Sequence, residues 1–213
     1  MKKDLLIILM LFGFTLAQAQ LSLSVKQGVL FTDATYTLND GSVPTYYPEI
    51  GGFYKFGHFA INSGLGVKTL GTYDNGLKTQ TNYQLINGVE TSVTTQENVK
   101  TKYLFSYLTI PVYASLIYDP RDFYIGLDLG LEANINVSAI NETSSHPNEK
   151  IPYVNTFDPN LLLGAKIGTK ISRELSLDLT LRYTAGIFSD VTQDGKFGRL
   201  DATSLMLGLN YNY

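Results

Sequence analysis

Side-chain polarity alternates with a period of two along most of this chain. Between residues 175 and 183, Leu175, Leu177, Leu179, Leu181 and Tyr183 take one parity, and Ser176, Asp178, Thr180 and Arg182 take the other. A helix would scatter these apolar positions around its cylinder, whereas a strand gathers them on one face. Residues 123–137 repeat the pattern, with Phe123, Ile125, Leu127, Leu129, Leu131, Ala133, Ile135 and Val137 opposite Tyr124, Gly126, Asp128, Gly130, Glu132, Asn134 and Asn136. Residues 22–32, 58–68, 161–171 and 204–213 alternate as well, and 46–56 is an aromatic-rich strand whose apolar face carries Ile50, Tyr54 and Phe56. Residues 103–118 are apolar on both parities and leave the faces open; Pro111 inside them removes a ladder donor and predicts a bulge there. The sum is eight strands.

The connections alternate short and long. Short turns fall at Gly57-His58, at Asp119-Pro120-Arg121-Asp122 and around Ser172-Arg173-Glu174. The second of these suits a type I turn, with Pro at its second position. Long polar segments fall near 33–45, 73–99, 138–156 and 189–199. In up-and-down order all short turns and both chain ends lie at one end, and all long loops at the other. Bacterial outer-membrane barrels have this asymmetry, with short periplasmic turns and longer extracellular loops.

Which face points outward separates a soluble barrel from a membrane barrel. Charged residues make up only 16% of the 213 residues, and mean hydropathy is +0.01. A soluble barrel would carry more Lys and Glu on an outer face. Here the polar faces hold small residues with scattered charges of both signs: Lys26, Lys68, Asp128, Glu132, Lys166, Lys170, Asp178 and Arg182, with Glu49 a further candidate. That set suits a narrow lumen in which opposite charges pair. The fold expected is therefore all-β, an eight-stranded antiparallel up-and-down transmembrane β-barrel over residues 20–213.

The 15 Tyr and 11 Phe, without Trp, gather at strand ends. Phe56, Phe59, Tyr118, Phe123, Tyr211 and Tyr213 fall near the short turns. Phe31, Tyr46, Tyr103, Phe105, Phe157, Tyr183 and Phe188 fall near the long loops. Two interfacial girdles would have this distribution, although strand propensity alone also favours Tyr and Phe. Residues 1–19 read as a secretory signal peptide: Lys2-Lys3, an apolar run from Leu5 to Leu16, and Ala17-Gln18-Ala19 before cleavage after Ala19.

With these features in place, the chain resembles the PorT-like outer-membrane β-barrels of Bacteroidota, and more broadly the OmpA/OmpX-like small barrels. The carriers are the leader ending LAQAQ, the opening strand LSVKQGVLFTD, the segments YYPEIGGFYKFG and YLFSYLTIPVYASLIYD, and the alternating last strand ending in Tyr213. The resemblance implies a cell-envelope protein contacting outer-membrane lipid and lipopolysaccharide, and a terminal aromatic strand read by the barrel assembly machinery. Members are often described as porin-like, and one branch serves secretion; no residue here selects that branch.

Little in the sequence suggests catalysis. The absence of Cys excludes thiolate chemistry and disulfides, and the net charge of −3 disfavours a nucleic-acid partner. Only His58 and His146 are present. His58 falls in a short turn, and His146 lies in a long loop beside Glu142, Ser144 and Ser145, where an outer-face enzyme would place it. Asp33, Asp40, Asp190 and Asp194 are turn-forming residues, and DVTQDG lacks the spacing of a calcium loop. No cofactor or metal is expected. Asn87-Gly88 is a hairpin signal, so residues 73–99 can extend two strands outward as a protrusion for adhesion or a protein partner. An eight-stranded barrel is only wide enough for side chains to fill its lumen. The expected role is non-enzymatic: a plugged barrel acting through its loops or in envelope integrity, with a narrow porin-like channel or secretion-associated barrel as the alternative and an outer-membrane enzyme working through His146 as a third.

Overall fold

The computed structural model describes residues 20–35, 41–86, 89–142, 149–151, 154–187 and 199–213. The strands are β1 (Gln20–Thr35), β2 (Thr45–Phe56), β3 (Phe59–Ile86), β4 (Val89–Tyr118), β5 (Phe123–Glu142), a two-residue β6 (Glu149–Lys150), β7 (Phe157–Lys170), β8 (Leu175–Gly186) and β9 (Arg199–Asn212). Every ladder is antiparallel. The eight long strands pair in chain order, and β1 joins β9 to close the ring. Closure leaves no long strand with an open edge, so the ladder donors and acceptors find partners within the wall.

Alternation decides what each face meets. Lys26, Lys68, Glu132 and Arg182 point inward and are buried, while Leu23, Val25, Ile61, Leu65, Leu129, Leu163, Leu181 and Leu207 point outward and are exposed. Leu127, on the outward face of β5, is 63% exposed. The outside is thus an apolar belt and the inside a packed mixture of polar and apolar side chains.

The ambiguous segment 103–118 resolves with odd residues inward. Tyr107, Thr109, Tyr113, Ser115 and Ile117 are buried; Leu108, Val112, Leu116 and Tyr118 are exposed. Both parities read as apolar because this stretch of lumen is lined by Tyr and Ile. The bulge expected at Pro111 is absent. Pro111 stays in register opposite Glu132, and the β3–β4 register is the same before and after it, from Ser63↔Val112 to Gly66↔Thr109. The shift in the β4–β5 ladder comes between Ser106 and Tyr107, where Val137 is the extra residue. An inserted residue reverses parity, so Asn134 is inward before the bulge and Ala139 packs on the lumen cluster after it.

The 73–99 segment is mostly strand: β3 and β4 stay paired to Ile86↔Val89. The Asn87-Gly88 turn itself lies outside the described residues. At the opposite end Gly57 adopts the left-handed φ of 61° that its tight turn requires, and Phe56 pairs Phe59 across it. The Asp119–Asp122 connection departs from a type I turn, because Arg121 has φ of 102° where type I needs a negative value. Its neighbours anchor it: Lys170 N donates to the Asp122 carbonyl at 2.8 Å, and the Asp119 carboxylate accepts from Lys55 and Lys170 at 2.7 and 2.6 Å.

Candidate functional site: the lumen

The inward-facing side chains form two layers. Toward the long loops, Leu30, Tyr47, Leu70, Phe105, Tyr107, Leu200, Ala202 and Met206 make one buried cluster. Tyr103, Ala139, Ile151 and Val154 pack against it. Ile151 is drawn over the cluster by its N–H donating to the Ala139 carbonyl at 3.0 Å. Phe105, assigned by position to the outer aromatic girdle, is instead part of this plug at 1% exposure, and Tyr103 packs on it. The physical reason is the parity of β4, which turns odd residues inward.

Below the plug lies the charged layer. Lys68 from β3 pairs with Glu132 from β5, both fully buried. Tyr47 from β2 donates to the other oxygen of Glu132 at 2.7 Å. Arg182 from β8 reaches Glu49 from β2 with two nitrogens, at 2.5 and 3.4 Å. Lys166 from β7 meets Asp128 from β5 at 3.0 Å and donates to Ser115 at 2.9 Å. These ties run both along the wall and across the lumen. Tyr113 of β4 sits among the cations, its ring centre 5.1 Å from Arg182, 5.7 Å from Lys26 and 5.9 Å from Lys166. A ring face attracts cations at such distances. Tyr113 comes inward beside Gly130, its cross-strand partner, where a β-carbon would collide with the Tyr113 backbone. Asp178 accepts from Asn210 at 2.7 Å, Thr180 at 2.9 Å and Tyr124 at 3.3 Å.

Of the charges proposed from sequence, Lys68, Glu132, Asp128, Lys166 and Arg182 share this layer with Glu49. Lys26 lies within it but bonds to Tyr113 Oη at 3.1 Å rather than to a carboxylate. Lys170 lies apart from that layer, at the short-turn mouth, partly exposed and paired with Asp119. Burial of Asp119 would raise its carboxyl, but hydrogen bonds from Lys170 and Lys55 outweigh that and hold it below the usual carboxylate range. The residues that reasoning from sequence missed are Tyr47 and Tyr113. Tyr on a strand is uninformative until the inward parity is known.

The outer surface holds the remaining aromatics. Phe59, Tyr118, Phe123, Tyr211 and Tyr213 are exposed near the short turns, with Phe56 half-buried and stacked on Phe59 at 6.3 Å between ring centres. Phe31, Tyr46, Phe157 and Tyr183 are exposed toward the other end. Phe188, His146, Asp40, Asp190, Asp194 and the leader 1–19 lie outside the described residues, as does the side chain of Asp33. His58 is exposed in its turn, a ring nitrogen 3.2 Å from the Ile117 carbonyl oxygen. Among the described residues no three His, Asp or Glu gather as a metal site.

No protein-family model and no curated protein sequence matches the chain. Among solved structures it is similar to Neisserial surface protein A, NspA, at 12% identity and a TM-score of 0.53, covering 92% of this chain and 99% of that one. The attachment invasion locus protein Ail of Yersinia pestis aligns over the same shares, at 10% identity and a TM-score of 0.49. The chain has the fold of the small eight-stranded outer-membrane barrels, a closed antiparallel all-β barrel.

Proposed function

We propose that this protein is an integral outer-membrane barrel, non-enzymatic and closed to diffusion, that acts through its extracellular end or in envelope integrity. The observation that carries this reading is the pairing of an apolar outside with a filled inside. A soluble monomer rarely exposes a continuous apolar patch beyond a few hundred Å², yet here every long strand turns aliphatic side chains outward. Lipid solvates such a surface, and the exposed aromatics at both ends fit the interfaces. The long-loop end is then extracellular and the short-turn end periplasmic. The leader with cleavage after Ala19 and the PorT-like resemblance, with its Bacteroidota origin and its reading of the last strand by the assembly machinery, fit the same placement.

Closure of the lumen follows from its two layers. Apolar packing from Leu30 to Met206 fills the lumen toward the long loops beside the buried Asn134, Asp158 and Asn160, and Arg182–Glu49 and Lys68–Glu132 tie the wall beneath it. The β3–β4 hairpin extends far beyond the span of the other strands and offers a polar surface for a protein partner. Reconstitution into planar bilayers tests the closed lumen. We expect a silent membrane, and stable open-channel steps would favour the narrow-pore alternative.

A further inference from the structure

The barrel is a cup: plugged toward the long loops and hollow toward the short turns. The hollow holds about 330 Å³ and is lined by Lys26, Lys55, Lys166, Lys170 and Arg173, with Asp119 and Asp178 the acidic groups on its wall. Counting Asp128 behind Lys166, five cations face three carboxylates. The carboxylates are also committed. Asp119 is shared by Lys55 and Lys170, Asp128 holds Lys166, and Asp178 is occupied by Asn210, Thr180 and Tyr124. Two cations form no ion pair among the described residues: Arg173 at the rim, and Lys26 in the interior, which faces Glu49 across the β1–β2 ladder without bonding to it.

Lys26 is the telling residue. It is 4% exposed and lines the hollow, and its ammonium has one hydrogen bond, to Tyr113 Oη at 3.1 Å. An ammonium has three donors, and the carboxylate of Glu49, opposite Lys26 on the ladder, is already held by Arg182. A protein that needed only a filled lumen could place a Met or Leu at this position. A positive wall, two free donors and room above them make a receptor for an anion.

We propose that the short-turn vestibule binds a small multivalent oxyanion, of the phosphate or dicarboxylate class, with Lys26 at its floor and Arg173 at its rim. The plug makes the vestibule blind, so the anion enters and leaves by the same mouth. In the proposed orientation that mouth opens to the periplasm; the vestibule itself does not depend on that orientation. Asp178 does not repel the ligand outright, because three wall donors already share its charge.

The test is calorimetric titration of the detergent-folded protein with inorganic phosphate at low ionic strength, with succinate as the carboxylate arm. Saturable binding of either anion is expected, and the arm with the higher affinity names the class. Lys26→Met should weaken it at least tenfold and Arg173→Ala several-fold, while Lys102→Met at the opposite end leaves it unchanged. Folding of each variant is read from the heat-dependent gel shift of the barrel. If Lys26→Met does not fold, Lys26→Gln, which keeps donors without charge, takes its place with the same expectation. Absence of saturable heat from both anions, or equal binding by a folded Lys26 variant, overturns the proposal. The bilayer recording reports separately on lumen closure, so the two readings fail independently.

Discussion

Arg182 stands at the centre of the charged layer, with Glu49 in its fork and the Tyr113 ring against it. Removing one partner of a buried pair strands the other charge. Arg182→Met should therefore cost about 3–5 kcal/mol, and adding Glu49→Leu should return most of it. Urea unfolding in lipid vesicles followed by tyrosine fluorescence measures both. A second residue-scale effect sits at Gly168, where a β-carbon would collide with Tyr124 Cζ and with the Leu177 carbonyl oxygen. Gly168→Ala should displace Tyr124 and free Asp178 of one donor, lowering stability by about 1–3 kcal/mol in the same assay, typical of overpacking. The charged positions were readable because charge on one parity of an otherwise aliphatic strand has few homes. Their companions were not: Tyr47 and Tyr113 on lumen-facing strands look the same in sequence as Tyr118 or Tyr211 on the outside.

At the scale of elements, the clean alternations of β8 and β9 gave both strand and face directly, since nothing interrupts them. Two devices hid the rest. Val137 adds one residue to β5, so alternation read from its first half points the wrong way in its second. Pro111 looked like the disruptive residue, yet it is seated inward on β4, opposite Glu132, without moving the register. The turn between β4 and β5 makes a prediction of its own. Asp119 binds Lys55 and Lys170, and its carboxyl is held below the usual range, so its contribution is complete above the unfolded value of about 3.9. It is lost as pH falls through the lower folded value. Asp119→Asn should thus lower stability by about 0.5–1 kcal/mol at pH 7, a size set by partial exposure. The gap between variant and parent should narrow progressively as pH falls below about 3.9, as chemical denaturation at a series of pH values would show.

For the whole molecule, the outward face decides the environment. Leu129 lies in the first half of β5, between the outward Leu127 and Leu131, and is exposed. Leu129→Arg should cost about 2–4 kcal/mol in vesicles if the belt meets lipid, whereas on a water-facing surface the change would be nearly neutral. Vesicle unfolding separates the two outcomes. The sequence carried the barrel, the strand order and the inverted polarity, because these follow from a period of two and a rhythm of loop lengths. It did not carry the division of the lumen into an apolar plug and a charged cup. That division depends on which strands stand side by side at each height, as Leu30, Leu70, Phe105 and Leu200 do from four different strands.

The seam between β1 and β9 has a bearing on time. Ser22 Oγ donates to Asn212 Oδ1 at 2.7 Å, across 190 positions of chain, and the Tyr213 N–H reaches the Leu21 carbonyl at 3.0 Å. The first strand therefore waits for the last before its outer row of amides has any partner, and loop closure on that scale is slow. Synthesis from the N-terminus cannot finish this wall piecemeal. The emerging polypeptide must be kept from sticking to itself until its final dozen residues arrive, and losing those residues would leave an unfinished sheet rather than a slightly smaller barrel.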